Sequence, residues 1–481
     1  MIDFRPIILV TGILLTTLGS AMLIPAAIDA GAGNPDWQVF ALAATLTLFT
    51  GGSMTLMTWG HASDLTLKEA FLLVTFIWVF LPGFGALPFA FSELSLSYTD
   101  AFFEAMSGLT TTGATVVVGL DTAPPGFLLW RALLQWLGGL GVIVMAISVL
   151  PALQVGGMQI FRSEAFDTMG KILPRAGEIA QSISVIYLAM TIACGITYLS
   201  LGMQPFDAVV HAMTTIATGG FANTDASFSQ MSAAIEYAAV VFMLIAALPF
   251  VRYVQMLQGS AKPLIHDPQV RAFFLVLFTI VFAVSLWKFF AVGVSEEQSF
   301  RKSLFNTTSI LTGTGYASAD YMQWGAFPVV ILFFAGLIGG CAGSTACSIK
   351  VFRFQLLIAS IAVQIKRIHS PHGVFTPRYA GRAVSQDVLS SVMAFFVMFT
   401  VSVGLLAVAL GFTGLDFVTS LSEAATALAN IGPGLGDTIG PAGNFASLND
   451  TAKWMLAFAM LIGRLELMAV YAIFTIGFWR A

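Results

Sequence analysis

Apolar runs long enough to cross a bilayer recur along the whole chain, and no other feature limits its fold so severely. A stretch of about 18 or more apolar residues reads as a membrane-spanning helix. Such runs fall at 7–28, 39–59, 69–91, 126–150, 180–201, 234–257, 271–293, 325–349, 387–411 and 453–479. Composition agrees: the chain is 57% hydrophobic and only 10% charged, with 42 Phe and 45 Gly among 481 residues. That excludes the two or three soluble domains a chain of this length would otherwise suggest. The first run, from Ile7 to Ile24, ends at Pro25 and has some look of a signal peptide. A second apolar segment follows at once without a small-residue cleavage site, so it reads as a retained first helix.

Orientation follows from the basic residues, which favour cytoplasmic loops. One set of loops holds Arg5, Lys68, Arg162, Lys171, Arg175, Arg252, Lys262, Arg271, Lys350, Arg353, Lys366, Arg367, Arg378, Arg382 and Arg480, fifteen of the 21 Lys and Arg. The other side and the helix interiors share Arg131, Lys288, Arg301, Lys302, Lys453 and Arg464. The first set is therefore expected to be cytoplasmic, with both termini. Four semi-polar segments between spans, too short for domains and too apolar for ordinary loops, then open to the outside.

Those four segments repeat. With Gly113, Gly220, Gly315 and Gly432 as references, nine residues earlier stand Glu104, His211, Asn306 and Glu423, all polar. Eight earlier stand Ala105, Ala212, Thr307 and Ala424, all small. Six earlier stand Ser107, Thr214, Ser309 and Thr426, each with a hydroxyl. Four earlier stand Leu109, Ile216, Leu311 and Leu428. The stretch before each glycine is helix-compatible, and Asp100, Asp207 and Asp416 mark three of the starts. About 11 residues at 1.5 Å each reach halfway through a 30 Å core. Each unit thus reads as full helix, half helix, extended Gly/Thr loop and full helix.

Non-helical backbone at membrane depth must be buried in protein or line a wet cavity. Four loops entering from one side meet that rule by ringing a single pore. Glycine permits positive φ and close approach, and rings of carbonyls can replace an alkali cation's hydration shell. Each half helix also aims the negative end of its dipole at the centre. The candidate filter is Thr111, Thr112, Gly113; Thr218, Gly219, Gly220; Gly313, Thr314, Gly315; and Asn430, Ile431, Gly432. Ordinary Gly/Thr turns at helix ends are the alternative, and it weakens when the four segments align.

The loops TTTGAT (Thr110–Thr115), ATGGFANTD (Ala217–Asp225), TGTGYA (Thr312–Ala317) and ANIGPGLG (Ala429–Gly436) resemble those of the TrkH/KtrB superfamily of potassium uptake proteins. GGCAGSTACSIK at Gly339–Lys350 and GRLEL at Gly463–Leu467 add to the likeness, and two extra leading helices resemble the TrkH branch. The resemblance implies a channel-like potassium translocator in a bacterial inner membrane, built as a homodimer with one pore per subunit. It also implies a cytoplasmic TrkA-type regulatory ring that binds nucleotides, NAD/NADH or ATP/ADP. Potassium is then the bound ion, with no organic cofactor in this chain. Only Thr314-Gly315-Tyr316 comes near the TVGYG filter of tetrameric potassium channels.

Gly336, Gly339, Gly340, Gly343, Ser344, Thr345 and Ser348 crowd the 325–349 run. Glycine costs about 1 kcal/mol relative to Ala inside a helix, so the cluster predicts a break just inside the filter. The resemblance makes this a gating loop; close packing through small residues is the other reading. Arg464 lies 11 residues after Lys453, near mid-membrane, where a charge needs a wet cavity or an acidic partner. Glu466, two residues on, does not share its helix face. Arg464 is therefore expected to face the pore below the filter, as part of the gate.

His211 reads as a packing residue, and His61, His266, His369 and His372 as members of cytoplasmic loops. The basic run Lys366, Arg367, His369, Arg378 and Arg382 suits anionic membrane lipid or the regulatory ring equally. Cys194, Cys341 and Cys347 form no CxxC or Cys/His cluster. No nucleophile–base pair or Walker motif suggests an enzyme, and nothing suggests nucleic acid. The expected fold is an all-α polytopic membrane protein: two leading helices (1–64) and four parallel helix–pore-loop–helix repeats (65–175, 176–265, 266–370, 371–481) around one central pore. The rival is an ion-coupled secondary transporter, by sodium or proton symport, with a midplane site.

Overall fold

The computed structural model describes residues 2–60, 66–148, 157, 158, 160 and 176–480. His61, Arg162, Lys171, Arg175 and the last two residues of the 126–150 run lie outside the described residues. Two leading helices, Arg5–Ala32 and Trp37–Thr58, pack as a tight hairpin. Small residues let them approach: a Cβ on Gly51 would lie 2.7 Å from the Thr16 nitrogen.

Four units of the expected kind follow. The first half helix is Tyr98–Leu109, between Leu67–Gly85 and Pro125–Ser148. The second is Pro205–Ile216, after Ala176–Ser200. The third is Glu296–Thr312, after Pro268–Trp287, and the fourth is Phe417–Ala429, after Gln386–Phe412. Their starts carry local signals. Ser97 caps the first through the Asp100 N–H, and Asp416 caps the fourth through the Val418 and Thr419 N–H groups. Among the described residues, seven helices are long and apolar enough to span a membrane, and two sharply bent helix pairs have the length and composition of one span each. The fold is an all-α polytopic membrane protein, two leading helices followed by four parallel repeats around one centre.

Two spans differ from the uninterrupted helices expected, and a third breaks where the glycine cluster predicts. The 234–257 run is two helices, Ala233–Ala246 and Phe250–Leu257, bent by 89°. Pro249 explains the break, since proline lacks the N–H and disfavours helical backbone before it. The 453–479 run bends by 111° between Asp450–Arg464 and Leu467–Ile473, with Glu466 held at φ 68°. In the third repeat the span stops at Ile338 as the glycine cluster predicts, but a further helix, Val351–His369, then begins. That segment is read above as loop. Arg353, Lys366 and Arg367 are therefore not in a loop: Arg353 is buried on this helix, ion-paired to Glu466, while Lys350 ends the non-helical stretch before it.

Candidate functional site

Three of the half helices end in one shared way, and that of the third repeat keeps its first bond, from the Gly313 N–H to Ile310 O. In the first, the Thr111 N–H donates to Gly108 O and the Thr112 N–H to Ser107 O. In the second, Thr218 donates to Thr215 O and Gly219 to Thr214 O; in the fourth, Asn430 donates to Ala427 O and Ile431 to Thr426 O. This is the Schellman pattern, whose C′ residue is left-handed. Thr111 (φ 52°), Thr218 (φ 49°), Gly313 (φ 76°) and Asn430 (φ 53°) all adopt that conformation, each two residues before a reference glycine. For the β-branched Thr111 and Thr218 it stores about 1–3 kcal/mol each, the kind of strain found at functional sites.

The reference glycines then close a ring, loop against loop. A Cβ on Gly113 would strike the Gly219 carbonyl oxygen, and one on Gly220 the Thr314 carbonyl oxygen. One on Gly315 would lie 3.2 Å from the Gly432 nitrogen, and one on Gly432 2.9 Å from the Gly113 carbonyl carbon. The order 1–2–3–4–1 is complete. Gly113, Gly220 and Gly315 have φ of 81–86°. Gly432 does not adopt a positive φ, because Pro433 restricts the residue before it to extended backbone. Glycine is needed there only for close approach.

In the first and third repeats the polar residue nine before the glycine braces the chain leaving the loop. Glu104 accepts from the Val116 N–H at 3.0 Å, and Asn306 from the Ser318 N–H at 3.2 Å. Glu104 also pairs with Arg131 at 2.7 Å, both fully buried, while Arg131 Nη1 donates to Ala222 O of the second loop. Glu104→Ala would leave the Arg131 charge without that carboxylate and should cost about 3–5 kcal/mol. Thermal melting of the purified protein in detergent measures it. His211 is packed beside Phe228, its Nδ1 against Asp207 O and its buried Nε2 without a hydrogen-bond partner.

On the side from which the half helices enter, a cavity of about 290 Å³ sits over the ring, lined by all four reference glycines with Arg131 and Asp225. On the other side a cavity of only about 30 Å³ is lined by Cys347, Lys350, Arg353, Arg464 and Glu466. Between ring and small cavity runs the non-helical stretch from Gly339 to Lys350, which touches every repeat. Cys347 Sγ lies 3.8 Å from Thr111 Oγ1, and the Cys347 N–H donates to Thr312 O at 3.4 Å. The Ser348 N–H donates to Ala429 O at 2.9 Å. Cys341 N–H and Thr345 Oγ1 donate to Ala247 O and Ala246 O, carbonyls freed by the break at Pro249. The interrupted helices thus satisfy one another, as buried non-helical backbone must.

Of the gate residues expected, Gly339, Gly340, Gly343, Ser344 and Thr345 lie in this stretch, and Arg464 reaches it. Arg464 Nη1 contacts Cys347 Sγ at 2.8 Å and Nη2 donates to Thr345 O at 3.3 Å, while Nε has no hydrogen-bond partner. Among the described residues no carboxylate pairs with it; Glu466 goes to Arg353. Sequence reasoning assigned nothing to Arg131, Gln135 and Cys347. The first two left one hint, polar residues a turn apart in an apolar span. Among the described residues, no carboxylate lies among the twelve loop residues, whose polar side chains are the hydroxyls of Thr111, Thr112, Thr218 and Thr314 and the Asn430 amide.

Comparison with known proteins agrees with this geometry. The TrkH cation transport protein family matches residues 37–478. The Trk system potassium uptake protein TrkI of Halomonas elongata is 42% identical over 99% of this chain and 97% of its own. The Trk system potassium uptake protein TrkH of Escherichia coli is 38% identical over 99% of each. The crystal structure of the potassium transporter TrkH from Vibrio parahaemolyticus superposes with a TM-score of 0.92 at 37% identity, covering 100% of both chains. The chain is a transport protein rather than an enzyme. It belongs to the TrkH family of cation transport proteins.

Proposed function

We propose that this chain takes up potassium through a channel-like path down the centre of its four repeats, with the four loops as selectivity filter. The observation that carries the proposal is the closed ring of reference glycines: a Cβ would clash with the next loop at Gly113, Gly220 and Gly432 and crowd it at Gly315. Carbonyls presented by such a ring replace the ion's hydration shell, and four half-helix dipoles point their negative ends at it. The filter comprises Thr111, Thr112, Gly113, Thr218, Gly219, Gly220, Gly313, Thr314, Gly315, Asn430, Ile431 and Gly432. The names of the relatives, all of potassium uptake or transport, support the choice of ion.

The stretch Gly339–Lys350 with Arg464 is the gate, obstructing the path just past the filter. The filter mouth faces outward and both termini face the cytoplasm of a bacterial inner membrane, as the basic residues indicate. Two subunits assemble as a homodimer, each with its own pore. A cytoplasmic TrkA-type nucleotide-binding ring docks on the exposed basic surface of Lys366, Arg367, His369, Arg378 and Arg382 and moves the gate.

Serine at each reference glycine tests the filter. Gly113→Ser and Gly220→Ser would place a Cβ into a carbonyl of the next loop at left-handed φ, and Gly315→Ser and Gly432→Ser would crowd the third and fourth loops. Each should raise sodium permeation or abolish potassium uptake, read as potassium, rubidium and sodium flux in proteoliposomes. Wild-type uptake and selectivity in all four variants would remove the filter assignment.

A further inference from the structure

The four loops are not braced alike. In the first, Thr110 and Thr112 pair their hydroxyls at 2.8 Å, and in the third Thr312 and Thr314 do the same at 2.8 Å. The corresponding residues are Ala217 and Gly219 in the second loop and Ala429 and Ile431 in the fourth, with no hydroxyl. A side-chain amide stands in at each. In the fourth, Asn430 Nδ2 donates to Thr112 Oγ1 at 3.1 Å and to Met460 O at 2.8 Å. In the second, the amide comes from a different repeat. Gln135, on helix Pro125–Ser148 of the first repeat, donates from Nε2 to Gly219 O at 2.6 Å. Its Oε1 accepts the Phe221 N–H at 3.1 Å. Gln135 is fully buried, and a Cβ on Gly219 would strike its amide, so the absent side chain at 219 is the space Gln135 fills.

We propose that Gln135 is a positioning residue for ion selectivity, fixing the Gly219–Gly220 peptide of the second loop and with it the carbonyls on either side. The two hydrogen bonds straddle Gly220, so the amide acts as a splint across a loop that lacks the hydroxyl pair of the first and third and whose own Thr218 hydroxyl reaches only Ala217 O. A hydroxyl pair is tied to its own half helix; Gln135 ties the second loop to its neighbour, so the first and second loops move as a unit. Without the donor, the buried Gly219 carbonyl loses its partner, and the strained Thr218 (φ 49°) no longer has a fixed peptide after it. The loop then relaxes, and the spacing that favours potassium over sodium is lost while the path stays open.

This inference rests on the filter reading, and the experiment separates the two. Gln135→Leu, which removes donor and acceptor at similar length, and Gln135→Glu, which keeps an acceptor for the Phe221 N–H, are reconstituted beside wild type and Gly113→Ser. Potassium and sodium uptake and detergent melting are measured on each. The potassium-to-sodium ratio of a folded Gln135 variant should fall about tenfold, with total cation flux retained, the effect of one buried hydrogen bond left unmade. A ratio within twofold of wild type in a folded Gln135 variant, while Gly113→Ser loses selectivity, overturns the Gln135 proposal alone. An unchanged ratio in both, or a wild type that does not discriminate, fails the filter reading itself. Collapse of both Gln135 variants, with no folded protein, assigns Gln135 to folding and equally overturns the proposal.

Discussion

Replacing Arg464 with alanine should raise cation flux at least tenfold in liposomes that contain no regulatory partner. Arg464 is 6% exposed, and its guanidinium lies beneath the ring against Cys347 Sγ and Thr345 O. No carboxylate among the described residues pairs with it, so its field would act on a cation leaving the proposed filter. Two like charges 4 Å apart repel by about 4 kcal/mol at an effective dielectric of 20, and each 1.4 kcal/mol is about a factor of ten. Its hold on the loop is weak, since a thiol is a poor hydrogen-bond acceptor, as suits an element that must let go. Expression and melting should stay near wild type, because removing an unpaired cation strands no partner. Rubidium uptake measured beside melting decides the matter: loss of folded protein without a gain in flux would show that Arg464 is structural.

Much of this arrangement was legible in the sequence because it depends on backbone chemistry that only a few residue types permit. The reference glycines align because close approach of the loops requires them, and Glu104, Asn306, Thr214 and Ser309 align with a hydrogen bond across or along the loop to serve. The helix break after Ile338 was legible for the same reason, in a cluster of glycines. The break at Pro249 had its signal too, a proline within an apolar run, but hydropathy averaged over the run concealed it. The turn at Glu466 has no such signal. Gly463 precedes it, yet the residue at φ 68° is a glutamate, held there by its pairing with an arginine 113 residues away. The helix Val351–His369 was missed because it is amphipathic and basic, neither apolar enough for a span nor marked by a cap. The role of Gln135 was hidden for a further reason: its partners are backbone groups of another repeat, so its polarity in an apolar span was the one hint.

Glu466→Ala should do the opposite of Arg464→Ala, although the two residues line the same small cavity. Arg353 is 1% exposed, its Nη2 bonded to the Glu466 carboxylate and its Nη1 to Ile349 O at 2.9 Å, with the guanidinium 3.8 Å over the Phe395 ring. Taking two charges out of water is expensive, and only their mutual attraction and hydrogen bonds offset it. Deleting one partner leaves the other's desolvation uncompensated, which typically costs about 3–5 kcal/mol. The loss falls where the fourth repeat's second helix turns by 111°, so that bend loses its anchor to helix Val351–His369. Glu466→Ala should therefore lower the melting temperature in detergent markedly, with no rise in flux per folded molecule. An apolar replacement of both partners, Arg353→Met with Glu466→Leu, should recover much of that stability, because neither charge is then buried alone. A Glu466→Ala protein as stable as wild type, or one whose flux rises as in Arg464→Ala, would show that the pair belongs to the gate.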